Sequence, residues 1–374
     1  MPLARRLDLI DAWLLSLSWP IRTIVLLLTF VSLTAATLPR IPKAAVDFSH
    51  WPLLNRMIQP DHFGTDTLAD MYETRVVRHD VWDMYTKRGV EQTPLEAATW
   101  SREASSPYPP VALLSLAVVA SAGDAVGIGL YGAVAILALV FIGASFVYFL
   151  RTRWYVFAML YLNGGYIAER FFFVQDGSYL LMLVVVIGAL LLARRWPAVA
   201  HVLMAGAIAI KLSPVFHLAR LRSMRPAVAA AVLGIVAAGL VLPALLWDHY
   251  LDIYRYQETL KGGGRWATAG GLAVAGVCGW LLVRADRRGA LDLEDWIGWS
   301  LVPAALFFAV KLNAIRHLLI VLLIPDRRAM RNVAAAAGLA VFALGGPELP
   351  LNASLPIVTA VLLVTLYWLG RKTV

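Results

Sequence analysis

A run of about seventy residues, from Pro39 to Ser106, lies between two hydrophobic segments and carries Asp47, Asp66, Asp70, Glu73, Asp80 and Asp83. Carboxylates are the groups from which a general base is most simply made, provided one of them reaches the proton it removes. Asp66 and Asp70 stand four residues apart in a stretch with helical promise, so both fall on one helix face. Asp66 has two open readings, as the N-cap of that helix or as a base. Asp47, in Val46-Asp-Phe-Ser-His50, is the rival acid. Cations complete the set. Lys211, in Lys211-Leu-Ser-Pro214, and Arg316 and His317, in Asn313-Ala-Ile-Arg316-His317, sit inside apolar stretches, where ionisable groups are expensive and by default mark a functional site. One reading has the two long side chains snorkel to an interface while His317 is satisfied between helices. The other has Lys211 and Arg316 clamp an anion, most naturally a lipid phosphate, with His317 donating to it or orienting a carboxylate.

The elements that must position these groups follow from composition. With 60% hydrophobic and only 15% charged residues, the chain is too apolar for a water-soluble globule of 374 residues and reads as an all-α polytopic membrane protein. Its formal charge of +9 comes from arginines and lysines at the ends of apolar segments, among them Arg194 and Arg195, Arg284, Arg287 and Arg288, and Arg371 and Lys372. That is the pattern of cytoplasmic loops under the positive-inside rule, and it argues against a nucleic-acid partner. Cys278 is the sole cysteine, which excludes a disulfide framework and a thiolate metal cluster.

Assigning the basic clusters to the inside gives about ten or more transmembrane helices with both termini inside. Residues 1–20 read as an interfacial amphipathic helix set off by Pro20, residues 21–38 as the first transmembrane helix, residues 39–107 as a long extracytoplasmic loop holding the acids, and residues 108–374 as a multi-span domain. Further spans are expected near 126–150, 154–170, 178–193, 226–246, 267–284, 293–312, 315–325, 331–345 and 355–370. Two segments do not fit as simple crossings. Val111 to Ala122 is short, and Ala198 to Arg225 begins and ends beside arginines while being interrupted at 211–214, so it reads as a broken or re-entrant helix lining a cavity. Under this threading the acidic loop, Gln175, Lys211, Arg316 and His317 all collect on the outer side. The chain has no Walker loop, zinc-protease His pair, nucleophile elbow or dinucleotide fingerprint. No cofactor is expected to be required; Asp66 and Asp70 leave room for a divalent metal, but no ligand spacing demands one.

Several short motifs, in this order, resemble the polyprenyl-phosphate-sugar-dependent glycosyltransferases of the GT-C fold, in particular glycosyltransferase family 87, which includes bacterial mannosyltransferases. The motifs are Asp66 followed by Asp83-Met-Tyr85, then Tyr108-Pro109-Pro110, then Val174-Gln175-Asp176-Gly177, then Lys211-Leu-Ser-Pro214, and last Asn313-Ala-Ile-Arg316-His317. The family's Gly-Gln order and its Asn are lost at the third. The resemblance implies a GT-C-type bundle in the plasma (inner) membrane and an inverting transfer on its extracytoplasmic face, from a polyprenyl-phosphate sugar to a lipid or glycan acceptor. It implies Asp66 as the base, Lys211, Arg316 and His317 on the leaving phosphate, and Gln175 and Tyr108 around the sugar. Tyr256, with Tyr250, Tyr254 and Trp266, would offer aromatic faces to the acceptor. The competing expectations are a transporter or flippase of a lipid-linked or anionic solute, for which an interrupted helix with a cationic tip is also a device, and a non-catalytic assembly partner.

Overall fold

The computed structural model describes residues 3–37, 109–127, a few helical positions between 137 and 148, 177–246, 265–312 and 355–369. The described chain is mostly helical and contains no strand. The acidic loop and the spans expected near 154–170, 315–325 and 331–345 lie outside the described residues, as does most of the span expected near 126–150.

Helix α1 (Leu3–Ser16) ends two residues before α2 (Trp19–Thr37). The break therefore falls at Leu17–Ser18, and Pro20 sits in the first turn of α2, where its missing N–H leaves no intrahelical bond unmade. Arg22 closes the junction: its guanidinium donates to the carbonyls of Leu14, Leu15 and Leu17, each at 2.8 Å, and so satisfies the orphan acceptors at the end of α1. The amphipathic pattern of α1 is carried unevenly, with Asp11 buried while Leu9, Ile10 and Trp13 are exposed.

Helix α3 (Pro110–Ala125) opens on its proline, and its 16 residues rise about 24 Å, short of a hydrocarbon thickness of about 30 Å. Helix α4 (Gly177–Leu192) and helix α5 (Pro197–Ile210) form an antiparallel hairpin through the turn at 193–196. Pro197 begins α5, and the extended Lys211, with φ −152° and ψ 129°, ends it. Pro214 forbids continuation, because it has no N–H to give and crowds the helical backbone of the residue before it. A 3-10 helix (Val215–Ser223) follows, then α6 (Pro226–Val236), a π turn (Ala237–Val241) and α7 (Leu242–Leu246), the last three forming one run.

Helix α8 (Arg265–Arg287) is stopped by Gly289, whose φ of +69° suits a residue without Cβ, and the Ala290 N–H closes back on the Ala285 carbonyl at 3.1 Å. Asp292 then caps α9 (Leu293–Ser300), accepting from the Asp295 N–H at 2.8 Å. Leu301 joins α9 to α10 (Val302–Leu312), and α11 (Leu355–Leu369) packs on α8 and α10. Among the described residues, two helices are long and apolar enough to cross a membrane, Trp266–Arg287 and Leu293–Lys311.

One apolar core links α4, α5, α8, α9, α10 and α11, with Trp296, Trp299, Met182, Ile187, Leu306 and Leu366 fully buried. Close approach within it depends on glycine. A Cβ on Gly271 would stand 2.9 Å from the Phe307 carbonyl of α10, and one on Gly279 would stand 2.2 Å from the Phe216 ring of the 3-10 helix. Small residues at these crossings let backbones meet where van der Waals packing must hold helices together.

Candidate functional site

The segment between α4 and α6 leaves one end of the bundle and comes back to it. Arg194, just before α5, pairs with Glu294 at 2.7 Å. Arg220, near the end of the 3-10 helix, donates to the carbonyls of Asp292 at 3.1 Å and Leu291 at 3.3 Å, pairs with Asp286 at 3.3 Å and lies over the Trp296 ring at 5.6 Å. Both arginines thus reach the same connection between α8 and α9. The middle of the segment agrees, since His201 Nδ1 on α5 meets His217 Nε2 on the 3-10 helix at 3.0 Å. His217 is fully buried and Phe216 fills the notch over Gly279.

The change of helix type alters the reach of the segment. Fourteen residues of α-helix carry α5 about 21 Å away from the turn at 193–196. Nine residues of α-helix would return only about 13 Å, whereas the same nine in 3-10 geometry, at 2.0 Å each, return about 18 Å. A 3-10 run of this length is uncommon, and here it is fixed by the Arg220 contacts, the histidine pair and Phe216. Helix α6 then sets off parallel to α5. The backbone of Gly239 faces Ala209 so closely that a Cβ would fall 2.6 Å from the alanine methyl, and Ala205, Ile208, Val232 and Val236 form the seam below.

This topology carries Lys211 to the far end, away from the arginines. Its N–H donates to the Ala207 carbonyl at 2.9 Å, and its ammonium lies 5.1 Å from the centre of the Tyr179 ring at the start of α4. Ser213 and Pro214 beside it are buried, so the turn is seated in protein. Lys311, at the end of α10, is also buried, its ammonium 5.7 Å from the Phe307 ring. No family model, curated protein or solved structure matches this chain.

Of the residues singled out by sequence, Lys211 is described, and it stands at the tip of the returning segment. Asp66, His317, Arg316, Gln175, Tyr108, Asp47, Asp70, Tyr85 and Tyr256 lie outside the described residues. Among the described residues there is no group of three or more His, Cys, Asp or Glu side chains able to hold a metal ion. The sequence reading did not single out His201, His217, Arg220, Glu294 or Lys311. Chemically, the described part offers an amine at a turn, held by an aromatic face and backed by buried protein, where low dielectric strengthens its hold on an anion.

Proposed function

We propose that the protein is a multi-pass plasma-membrane glycosyltransferase that moves a hexose from a polyprenyl-phosphate donor to a lipid or glycan acceptor on the extracytoplasmic face. The observation that carries this reading is the position of Lys211 at the tip of a segment that leaves and returns to the arginine-rich end. Under the positive-inside rule that arginine-rich end is cytoplasmic, which points the amine about 21 Å into the membrane, toward the extracytoplasmic side. A slot between helices would bring the phosphate of a lipid-linked donor to it.

In the proposed reaction the Asp66 carboxylate takes the proton of an acceptor hydroxyl. The hydroxyl oxygen attacks the anomeric carbon with inversion, the bond from that carbon to the phosphate oxygen breaks, and the polyprenyl phosphate leaves with the electron pair and a second negative charge. Lys211 and Arg316 neutralise that growing charge, so they bind the transition state more tightly than the donor. His317 donates to the same phosphate. Gln175 and Tyr108 shape the sugar pocket, with Asp47, Asp70, Tyr85 and Tyr256 lining the acceptor side. Confinement of a membrane-bound donor in a slot between helices supplies the positioning part of the rate.

The test is transfer of radiolabelled sugar from synthetic polyprenyl-phosphate sugars to a membrane lipid extract by the purified chain. Turnover lost in Asp66→Asn, retained in Asp47→Asn and lowered at least tenfold in Lys211→Gln is the expected result. Folded protein that binds the donor yet transfers nothing would overturn the enzyme reading in favour of transport.

A further inference from the structure

We infer that the end of the bundle opposite Lys211 is a binding surface for the headgroups of anionic phospholipids. Three connections, each distant from the others in sequence, meet there, and Arg220 is the reason. Its contacts with Asp286, Leu291 and Asp292 bind the end of the 3-10 helix to the turn between α8 and α9. That junction brings Arg222 within electrostatic reach of Asp286, which Arg287 and Arg288 follow in the chain as Arg225 follows Arg222, while the Arg194–Glu294 pair holds Arg194 and Arg195 to the start of α9. All six of these arginines are exposed.

The charge balance of this end is one-sided. Among the described residues, eight arginines, 194, 195, 220, 222, 225, 284, 287 and 288, stand against four acids, Asp286, Asp292, Glu294 and Asp295, an excess of 8 − 4 = 4 positive charges. Two of the acids, Asp286 and Glu294, are engaged by Arg220 and Arg194. A surface with that excess attracts anions. The kind of anion is set by what surrounds the arginines. Trp196 and Trp280 are exposed at the same end, 54% and 59%, and the Arg284 guanidinium lies 5.4 Å from the Trp280 ring. Toward the middle of the bundle the same helices expose Leu233, Leu272 and Val277. Arginine and tryptophan above an exposed apolar band is the arrangement of a bilayer interface, where phosphates of lipid headgroups meet the protein. A nucleic-acid groove has no use for the apolar band.

The experiment titrates the full-length protein in neutral detergent with short-chain phosphatidylglycerol and, separately, phosphatidylcholine, reading bound lipid by native mass spectrometry. Preferential retention of phosphatidylglycerol is expected, weakening as salt rises. Arg222→Gln with Arg225→Gln should lower its affinity more than tenfold, since each basic side chain at such a surface contributes about fivefold. Arg222→Lys with Arg225→Lys should stay within about threefold of the parent, which separates charge from any loss of fold. Equal retention of the two lipids, indifference to the glutamine substitutions, displacement by equimolar inorganic phosphate, or tighter capture of a DNA oligonucleotide would each overturn the inference. None of these readouts depends on sugar transfer, so the two proposals stand or fall separately.

Discussion

Replacing Arg220 by glutamine removes the main tie between the returning segment and the rest of the bundle. The side chains of Arg220 and Asp286 are only 17% and 10% exposed, so the substitution leaves a carboxylate almost out of water with the charge of Arg222 in place of its ion pair. Breaking a buried ion pair from one side costs about 3–5 kcal/mol, and the residual exposure of this pair puts the expected loss near the lower bound, about 3 kcal/mol. The carbonyls of Leu291 and Asp292 lose their donor in the same step. Asp286→Asn alone should cost less, because the guanidinium keeps its carbonyl and aromatic partners. The double substitution removes the stranded charge and should recover about 1.5 kcal/mol relative to the sum of the singles. Reversible unfolding in mixed micelles, followed by tryptophan fluorescence, measures all four corners of the cycle, with Trp296 beside Arg220 one of the 13 tryptophans that make up the signal. A loss below about 1 kcal/mol for Arg220→Gln, or additivity within about 0.5 kcal/mol, would refute the claim that this pair holds the 3-10 helix in place.

Glycine positions give a paired test of the close crossings. Gly279→Ala drives a Cβ to 2.2 Å from the Phe216 ring and should destabilise by about 1–3 kcal/mol, whereas Gly276→Ala, with nothing within 4 Å, should be neutral or stabilising by up to about 1 kcal/mol in the same unfolding assay. Gly239→Ala should likewise cost more than Gly234→Ala, because its Cβ meets Ala209 at 2.6 Å while the other meets open space; unfolding midpoints compare them. Arg194→Ala should cost more than Glu294→Gln, since the first removes a cation from a carboxylate 4% exposed and the second leaves a neutral amide facing an arginine already 55% in solvent. Cys278 is fully buried, so a maleimide should label it slowly in the native protein and rapidly in denaturant, as mass shift will record.

Much of the helical layout was legible because it rests on apolar length and on proline. The span expected at 267–284 is α8, the one at 293–312 is the α9–α10 run, and the one at 226–246 is a single run through the π turn. The interruption at 211–214 was readable from Lys and Pro in an apolar context, and it does end α5. What sequence did not yield is pairing. Glu294 lies 100 residues from Arg194, and His217 lies 16 from His201, so each partnership exists only once the topology is known. Pro20 misled in a different way, since a proline marks a helix start as readily as a break. Of the candidate site, the tip lysine was legible by type and place. Its Tyr179 platform was not, because an aromatic residue opening an apolar helix is ordinary at a membrane interface.

The contacts of Arg220 also set an order of events during synthesis. Its partners at Leu291 and Asp292 lie 71 and 72 residues downstream, and the Gly279 notch for Phe216 is likewise made later than the ring it receives. At a ribosome pace of about 5–20 residues per second, the returning segment waits roughly 4–14 seconds for the groups that fix it. During that interval its 3-10 helix, with buried His217 and two arginines, has no finished seat. Insertion of this protein is therefore not a simple succession of helices: α5 and its return can take their final place only when the α8–α9 turn has arrived.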